Sequence, residues 1–401
     1  MTDATQHDSL PQERPSPPEE YSDPPSFSAS VDGLDLWVYP SGGERLEALL
    51  ALVKGAKHSL KLCFYIFAKD GTGRKMRAAL TEAATRGVNV TLIVDGFGAE
   101  AGGEFFEEFC AAGGDFRVFS SRASTRYLIR NHQKIALADD ARAIVGGFNI
   151  ADDYFAPPEE NGWNDLAVWL EGRAVSPLVD WYDNLLDWTN ADGVEWTQVR
   201  HAVREWDAGA GAVRWLTGGP TRNLSSWARA VGRDLEYGRR LDLMMAYFSP
   251  PKRLLKKIGK IAERGEATLV MAGKSDNNAT IGASRSLYDY LLHKGANIYE
   301  FDACKMHTKL LVLDDTVYLG SANFDMRSLY INLEIILRIE DAAFADRMRQ
   351  FIASHLPASI EVTPEYHRER NTLWNRIRWN VSWFLVGVMD YTVSRKLNFG
   401  L

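Results

Sequence analysis

The chain has 401 residues, of which 46% are hydrophobic and 25% are charged, and its formal net charge is -7. This length accommodates two domains, and the composition is that of an ordinary globular protein. The negative charge argues against a general nucleic-acid-binding protein, which would have a basic excess. The three cysteines are scattered, so they indicate neither a disulfide framework nor a zinc site and fit a reducing cytoplasm.

The first predicted segment, residues 1–30, is a disordered tail. It is rich in Pro, Glu, Ser and Asp and has almost no large apolar residue, so it buries too little surface to become ordered. No charged-then-apolar leader begins it, which predicts no cleaved signal peptide. Because no run of about 18 apolar residues occurs anywhere, we expect no helix that spans a bilayer.

An internal repeat follows the tail and predicts two similar halves, residues 31–205 and 206–360. The segments that begin at Ser59 and Arg240 share one pattern of strand, helix, Arg-Gly and strand. Alternating strands and helices imply βα units on a largely buried sheet. The sequence therefore predicts an α/β fold of two pseudo-symmetric βα domains, with the active site at their interface.

A motif of the form His-x-Lys-x4-Asp occurs once in each half, and each copy is followed by a glycine-containing turn and an Asn. One copy would be weak, but two copies with the same trailing Asn are a strong signal. The residues are His132, Lys134, Asp139 and Asn149 in the first half, and His307, Lys309, Asp314 and Asn323 in the second.

These residue types predict a pocket around one phosphate. The motifs read as strands, in which residues two apart share a face, so His132 and Lys134 project together, as do His307 and Lys309. A histidine acts as nucleophile or general acid near neutral pH, while lysine and asparagine hold phosphate oxygens. The lysines supply the positive charge, so we expect no metal and no cofactor.

Asp139 and Asp314 are predicted to be structural residues at hairpin corners. An extended strand would place Asp139 roughly 23 Å from His132, too far to orient its ring. Each histidine needs another carboxylate to fix its tautomer, and Asp165 and Glu334, each in an apolar strand-like run after the Asn, are the candidates. The alternative is that these two are buried ion-paired acids without a catalytic role.

With these residues the chain resembles the phospholipase D superfamily, and most closely its bacterial cardiolipin synthases. Residues 307–334 and the segment GKSDN at 273–277 carry the closest likeness, which extends over about 33–355. The resemblance implies two phospholipase D-like halves. It also implies that one histidine attacks the lipid phosphate to form a phosphatidyl-histidine, while the other protonates the leaving alcohol and deprotonates the incoming one.

The function expected from this resemblance is a phosphatidyltransferase that forms cardiolipin from phosphatidylglycerol. We assign His132 as nucleophile and His307 as acid/base, although pseudo-symmetry makes the roles nearly interchangeable. Gly147 and Ser321 occupy matching positions and are expected to bind substrate, with a hydroxyl only in the second half. The alternative is a phosphodiesterase that releases the same intermediate to water, from phospholipid or less readily from nucleic acid. A third reading is a non-catalytic lipid-binding scaffold.

The C-terminal segment, residues 361–401, is basic, aromatic and amphipathic. Its apolar residues recur at helical spacing, which predicts a helix lying in the membrane interface, and packing on the enzyme's own core is an equal alternative. The expected partners are anionic phospholipids, phosphatidylglycerol and cardiolipin, with peripheral membrane contact and no nucleic-acid or protein partner. The expected location is the inner face of the bacterial cell membrane. The stripe comprises Leu373, Ile377, Val381, Phe384, Leu385 and Val388.

Tryptophans are crowded between the two motifs, and we interpret most of them as core residues, with a few available to line an acyl-chain groove. They are Trp163, Trp169, Trp181, Trp188, Trp196, Trp206, Trp215 and Trp227.

Overall fold

The structure is a computed structural model that describes residues 21–119, 129–190, 196–206, 211–221 and 224–389. Most of the predicted tail, residues 1–20, lies outside these ranges. Its predicted end at residue 30 is wrong, because the first strand already begins at Phe27.

The first half alternates strands and helices along the chain. Its elements are β1 (Phe27–Val31), β2 (Leu34–Tyr39), α1 (Gly42–Gly55), β3 (Ser59–Phe64), α2 (Gly71–Thr85), β4 (Asn89–Asp95), α3 (Glu107–Ala111), β5 (Asp115–Phe119), β6 (Ile135–Ala138), β7 (Arg142–Gly146), β8 (Trp163–Asn164), β9 (Ala167–Gly172), α4 (Val175–Asn190) and α5 (Trp196–Glu205).

The second half repeats this alternation and adds two helices at its end. Its elements are β10 (Val213–Gly218), α6 (Ser226–Tyr237), β11 (Arg240–Met245), β12 (Phe248–Ser249), α7 (Lys252–Arg264), β13 (Glu266–Ala272), α8 (Asn278–Arg285), α9 (Tyr288–His293), β14 (Asn297–Phe301), β15 (Lys305–Met306), β16 (Lys309–Leu313), β17 (Thr316–Gly320), β18 (Phe324–Asp325), α10 (Met326–Tyr330), β19 (Glu334–Glu340), α11 (Ala342–Ala353), β20 (Ser359–Glu361), α12 (Pro364–Arg370) and α13 (Leu373–Trp383), and a π-helical turn follows (Phe384–Met389).

The two halves each build one eight-stranded mixed sheet, in the orders β1-β2-β9-β7-β6-β3-β4-β5 and β10-β19-β17-β16-β11-β13-β14-β20. Six consecutive strands correspond between the sheets, from β9 to β5 in the first and from β19 to β14 in the second. In both sheets a parallel βαβ unit (β3-α2-β4 and β11-α7-β13) pairs with an antiparallel hairpin (β6-β7 and β16-β17). The predicted α/β repeat is confirmed.

A single hydrophobic core joins the two sheets. Residues of β6 and β7 share it with residues of β16, β17 and β19, and with α4 and α11. Separate outer cores lie under α1 and α2 in the first half and under α6 and α7 in the second. The seam between the halves is therefore as apolar as a domain interior.

The glycines predicted to end the helices do so for two different reasons. Gly87 after α2 has φ +89, a left-handed conformation that a glycine adopts without strain. Gly265 after α7 is extended, but a Cβ there would lie 1.9 Å from the carbonyl oxygen of Arg239. Gly265 is therefore required by the close approach of the Arg239 backbone, whereas Gly87 is required by its left-handed conformation.

The C-terminal helix α13 packs on α8 through one face and leaves another exposed. Trp379 is buried, its ring stacks on His367 at 5.5 Å, and Ser382 lies against Gly282 of α8. The stripe residues from Leu373 to Leu385 are exposed. No helix among the described residues is long and apolar enough to cross a membrane.

Candidate active site

His132 is positioned by the second half of the molecule. Asn131 forms an isolated parallel bridge with Leu333, and the backbone N–H of His132 donates to the Leu333 carbonyl at 3.0 Å. Glu334, the next residue, begins β19 and lies with Oε2 3.1 Å from Nδ1 of His132. The Nε2 atom of the ring is therefore the nitrogen available for chemistry.

His307 is positioned in the same way by the first half. The short strands β8 and β15 pair across the seam, and the backbone N–H of His307 donates to the Asn164 carbonyl at 2.8 Å. Asp165 follows, and its Oδ2 lies 2.6 Å from Nδ1 of His307. Each histidine is thus oriented by a carboxylate from the opposite half.

The two motif lysines lie beside these histidines and are buried. Lys134 donates to the carbonyl of His132 at 2.6 Å, and Lys309 donates to the carbonyl of His307. Burial lowers the pKa of Lys134 to about 7 and that of Lys309 to about 8, although Glu334 and Asp165 oppose the shift. An anion bound between them would restore their full positive charge.

Both histidines are neutral in the free enzyme. Burial, reinforced by the neighbouring lysines, holds the pKa of His132 well below its usual value and lowers the pKa of His307 to about 3. Lys309 also lies 2.8 Å from Nδ1 of His307, but a carboxylate can only accept, so we assign the Nδ1 proton to the bond with Asp165. Neutral rings with fixed tautomers suit nucleophilic attack.

The two carboxylates differ in charge. Burial pushes the pKa of Asp165 upward, but Lys309, His307 and Arg45 outweigh it and hold that pKa below its usual value. Burial dominates at Glu334 and raises its pKa to about 7, against Lys134. The two histidine–carboxylate pairs therefore have similar geometry, but the pKa of the carboxylate is low in one pair and raised in the other.

Gly147 and Ser321 contact these carboxylates. A Cβ at Gly147 would lie 2.5 Å from Oδ1 of Asp165, so the glycine makes room for that side chain. Ser321 donates to Oε2 of Glu334 at 2.5 Å and accepts the backbone N–H of Ile335 at 3.0 Å. The Ser321 hydroxyl therefore holds Glu334, and its predicted contact with substrate stays a prediction.

The remaining motif residues are two asparagines and two aspartates. Asn149 is buried, accepts from the backbone N–H of Ile66 at 3.1 Å and donates to the Tyr154 hydroxyl at 2.9 Å, which leaves one amide proton for substrate. Asn323 is buried at the matching position.

Asp139 and Asp314 lie in the hairpin turns with φ +55 and +49, and accept backbone N–H groups from the residues just before β3 and β11. They join the hairpin to the neighbouring strand of the sheet.

Sequence reasoning did not assign the aromatic residues around the histidines. The Tyr65 ring lies 5.0 Å from His132, and Tyr154, Trp163 and Tyr247 lie 5.1, 5.3 and 6.4 Å from His307. Trp163 belongs to the tryptophan-rich region, whose members Trp181, Trp188, Trp215 and Trp227 are buried core residues. Trp163 differs from these core tryptophans in lying beside His307, and the sequence alone does not show this.

This arrangement of two histidines, two lysines and two acids suits the transfer of a phosphoryl group between oxygens. The two neutral imidazoles each have an acid at Nδ1 and lie beside two buried lysines, whose ammonium groups would neutralise a phosphodiester. Sequence comparison gives the family. The family described as "Cardiolipin synthase, PLD-like domain" matches residues 49–186 and 237–356, and the chain belongs to it.

Individual relatives agree with this assignment. The chain is 29% identical over 363 residues to the major cardiolipin synthase ClsA of Bacillus subtilis (strain 168), which covers 88% of this chain and 75% of the relative. It is 26% identical over 365 residues to a cardiolipin synthase of Listeria monocytogenes serotype 4a (strain HCC23), with the same coverage. It is therefore a phospholipase D-type phosphatidyltransferase of phospholipid biosynthesis that acts on anionic phospholipid.

The fold is also found in a solved structure. The crystal structure of phosphatidylserine synthase from Haemophilus influenzae Rd KW20 superposes with a TM-score of 0.71 over 92% of this chain and 97% of that chain, at 12% identity. At this identity the likeness concerns the fold alone.

Proposed function

We propose that the protein forms cardiolipin from two molecules of phosphatidylglycerol through a covalent phosphatidyl-histidine. The crossed pairing of His132 with Glu334 and of His307 with Asp165 supports this proposal, because a carboxylate on each Nδ1 would leave both Nε2 atoms to act on one phosphate. One Nε2 forms a bond to phosphorus as the bond to the glycerol oxygen breaks. The other histidine donates a proton to the departing glycerol oxygen. It then takes a proton from the hydroxyl of the second phosphatidylglycerol as that oxygen bonds to phosphorus and the phosphorus–nitrogen bond breaks.

We assign the nucleophile to His132 and the acid/base to His307. Asp165 is the more strongly ionised carboxylate and lies closer to its histidine, so it stabilises a positively charged ring better than Glu334 does. A phosphodiester bound between Lys134 and Lys309 offsets the charge that lowers the pKa of His307. This favours protonation of His307 in the complex.

The experiment uses phosphatidylglycerol labelled in its phosphatidyl group, with products separated as cardiolipin, phosphatidic acid or unchanged lipid. We expect cardiolipin and free glycerol from the wild type. His132→Ala and His307→Ala should each lower turnover by roughly three orders of magnitude or more. His293→Ala, at an exposed histidine outside the site, is the control. Phosphatidic acid as the sole product would establish the hydrolase alternative.

A donor with a nitrophenolate leaving group separates the two roles, because that group departs without a proton. His307→Ala should still release nitrophenolate and accumulate a phosphatidyl adduct on His132, detectable by mass spectrometry. His132→Ala should release none. The reverse pattern would exchange the assignments.

We also propose that the enzyme is held peripherally on the inner face of the cell membrane by α13, with no nucleic-acid or protein partner. The exposed apolar stripe of α13 is flanked by the exposed residues Arg376 and Arg378, a combination suited to anionic bilayer surfaces. Helix α13 packs on α8, which follows the loop of residues 273–277. This arrangement would bring the site close to its lipid substrate.

A further inference from the structure

The two histidines differ in the groups that lie beside the neighbouring tyrosines. Beside His132, Arg130 donates to the Tyr65 hydroxyl at 3.1 Å, and the ammonium of Lys134 lies 5.5 Å from the centre of the Tyr65 ring. Arg130 also contributes to the low pKa of His132, after burial and the two lysines. Two cations, Arg130 and Lys134, therefore lie beside His132, the proposed nucleophile.

Beside His307 the neighbouring tyrosine is bonded to an acid instead of an arginine. Tyr247, whose ring lies 6.4 Å from His307, donates its hydroxyl to Oδ1 of Asp276 at 2.8 Å. Ser275 donates to the same oxygen at 3.0 Å. Asp276 is exposed, and among the described residues Oδ2 has no hydrogen-bond partner, so it can accept one from a ligand.

The loop that carries Asp276 is tied to the catalytic strand. Its Lys274 carbonyl accepts the backbone N–H of Met306, the residue before His307, at 3.4 Å. Asn277 caps α8 by accepting the N–H of Ala279 at 3.0 Å. The negative charge of Asp276 also acts on Lys309, where it opposes the effect of burial. Asp276 therefore belongs to the same electrostatic environment as the reacting phosphate.

In an in-line displacement the leaving alcohol departs opposite the attacking atom. With His132 as nucleophile, that alcohol leaves on the side of His307, and the incoming alcohol arrives there. We propose that Asp276, Tyr247 and Ser275 form the binding site for this alcohol and select one with adjacent hydroxyl groups, as in a glycerol headgroup. This assignment rests on the proposed function.

A carboxylate beside aromatic rings would also suit an amino alcohol. The surrounding cations disfavour that ligand. The ammonium of Lys305 lies 5.0 Å from the centre of the Trp163 ring and pairs with Asp153 at 2.6 Å, and Lys309 is buried beside His307. A neutral polyol accepts from the lysines' N–H groups and donates to Asp276 without repulsion.

The test supplies phosphatidylglycerol with isotopically labelled glycerol, 1-propanol and ethanolamine, and measures how the phosphatidyl group partitions among these alcohols and water. Glycerol and 1-propanol have the same carbon chain, so their ratio reports the extra hydroxyls. We expect Asp276→Asn to lower the glycerol-to-propanol ratio by roughly tenfold, the loss of a hydrogen bond to a charged group. Tyr247→Phe should lower it less, because Asp276 remains.

Asp315→Asn, at an exposed hairpin residue, is the matched control and should leave the ratio unchanged. An unaltered ratio in Asp276→Asn would overturn the alcohol site, as would a selective loss of transfer to ethanolamine. A wild type that forms phosphatidic acid and no cardiolipin would overturn the proposed function alone, because partition between the soluble alcohols still reports on Asp276.

Discussion

Arg45 lies in α1 and is buried, and each hydrogen bond found for its side chain is donated to a backbone carbonyl. Its guanidinium donates to the carbonyls of Asp165 at 2.5 Å, Tyr154 at 2.7 Å and Trp163 at 3.0 Å, and also to that of Pro40. Three of these residues surround His307. Arg45 thus fixes the backbone behind the acid/base pair and adds to the positive charge that keeps Asp165 ionised.

Two substitutions of Arg45 should separate the effect of its charge from the effect of its hydrogen bonds. In Arg45→Met the pKa of Asp165 rises, so the acid limb of the kcat/KM profile moves to higher pH. In Arg45→Lys the charge stays, so the limb remains in place. An ammonium cannot reach all four carbonyls, and kcat should fall by roughly 100-fold through misplacement of Asp165.

The measurement is a pH–rate profile for each variant, together with thermal unfolding to verify the fold. A limb that shifts equally in both variants would contradict an electrostatic role for Arg45. Unchanged kcat in Arg45→Lys would contradict the positioning role.

At the scale of single residues the sequence predicted the two histidines and the two acids beside them, but not which acid lies beside which histidine. Asp165 and Glu334 could be predicted because burying an acid in an apolar strand costs free energy unless a partner offsets that cost. That each serves the histidine of the other half could not be read from spacing. The short pairings of β8 with β15 and of Asn131 with Leu333 decide it, and they form only when the sheets meet.

Among the secondary-structure elements, α13 packs on α8 through one face, whereas membrane binding by its exposed stripe stays a prediction. Trp379 is 4% exposed against α8, whereas Leu373 is 77% and Trp374 73% exposed. Helical periodicity identified an apolar stripe but could not tell which side the core would take. Burial of Trp379 leaves the arginine-flanked stripe outside.

Exchange of the exposed stripe for polar residues should release the protein from membranes without unfolding it. We expect Leu373→Ser/Ile377→Ser/Val381→Ser to weaken sedimentation with phosphatidylglycerol vesicles, because each side chain loses apolar area that the bilayer would bury. Turnover of short-chain, water-soluble substrate should stay normal.

The matched control is Tyr237→Ser, which removes an exposed aromatic residue from α6 on another surface. Vesicle binding that survives the triple substitution would remove α13 as the anchor. Trp379→Ser is not informative here, since it would disturb the packing on α8.

At the scale of the whole molecule, the repeat predicted the two sheets and their pseudo-symmetry. Periodicity and glycine positions are local signals, and they suffice for βα units. The common core between the sheets is a long-range property, formed by residues such as Ile135, Val145, Leu310 and Leu319 from both motif hairpins. Sequence patterns show that these residues are buried, but not against which partner.

The common core makes the halves interdependent. Residues 1–206 and 211–401, produced separately, should each expose that core, associate non-specifically and show no turnover. Co-expression should restore activity. Size-exclusion chromatography and the labelled-lipid assay would measure both effects.

The control is the full chain with a protease site inserted between residues 206 and 211 and cleaved after folding. It should stay assembled and active, because burial and not chain connection holds the halves together. An active isolated half would contradict this dependence.

Because each half supplies one reactive ring and the acid for the other's ring, a chain of half this length could assemble both centres by pairing with an identical copy about a two-fold axis. Joining two such copies in one polypeptide would remove the obligation to stay identical. The glycine with aspartate on one side, and the serine with glutamate on the other, are the kind of divergence that such a fusion permits. Through it, a symmetric scaffold can give its two histidines different tasks.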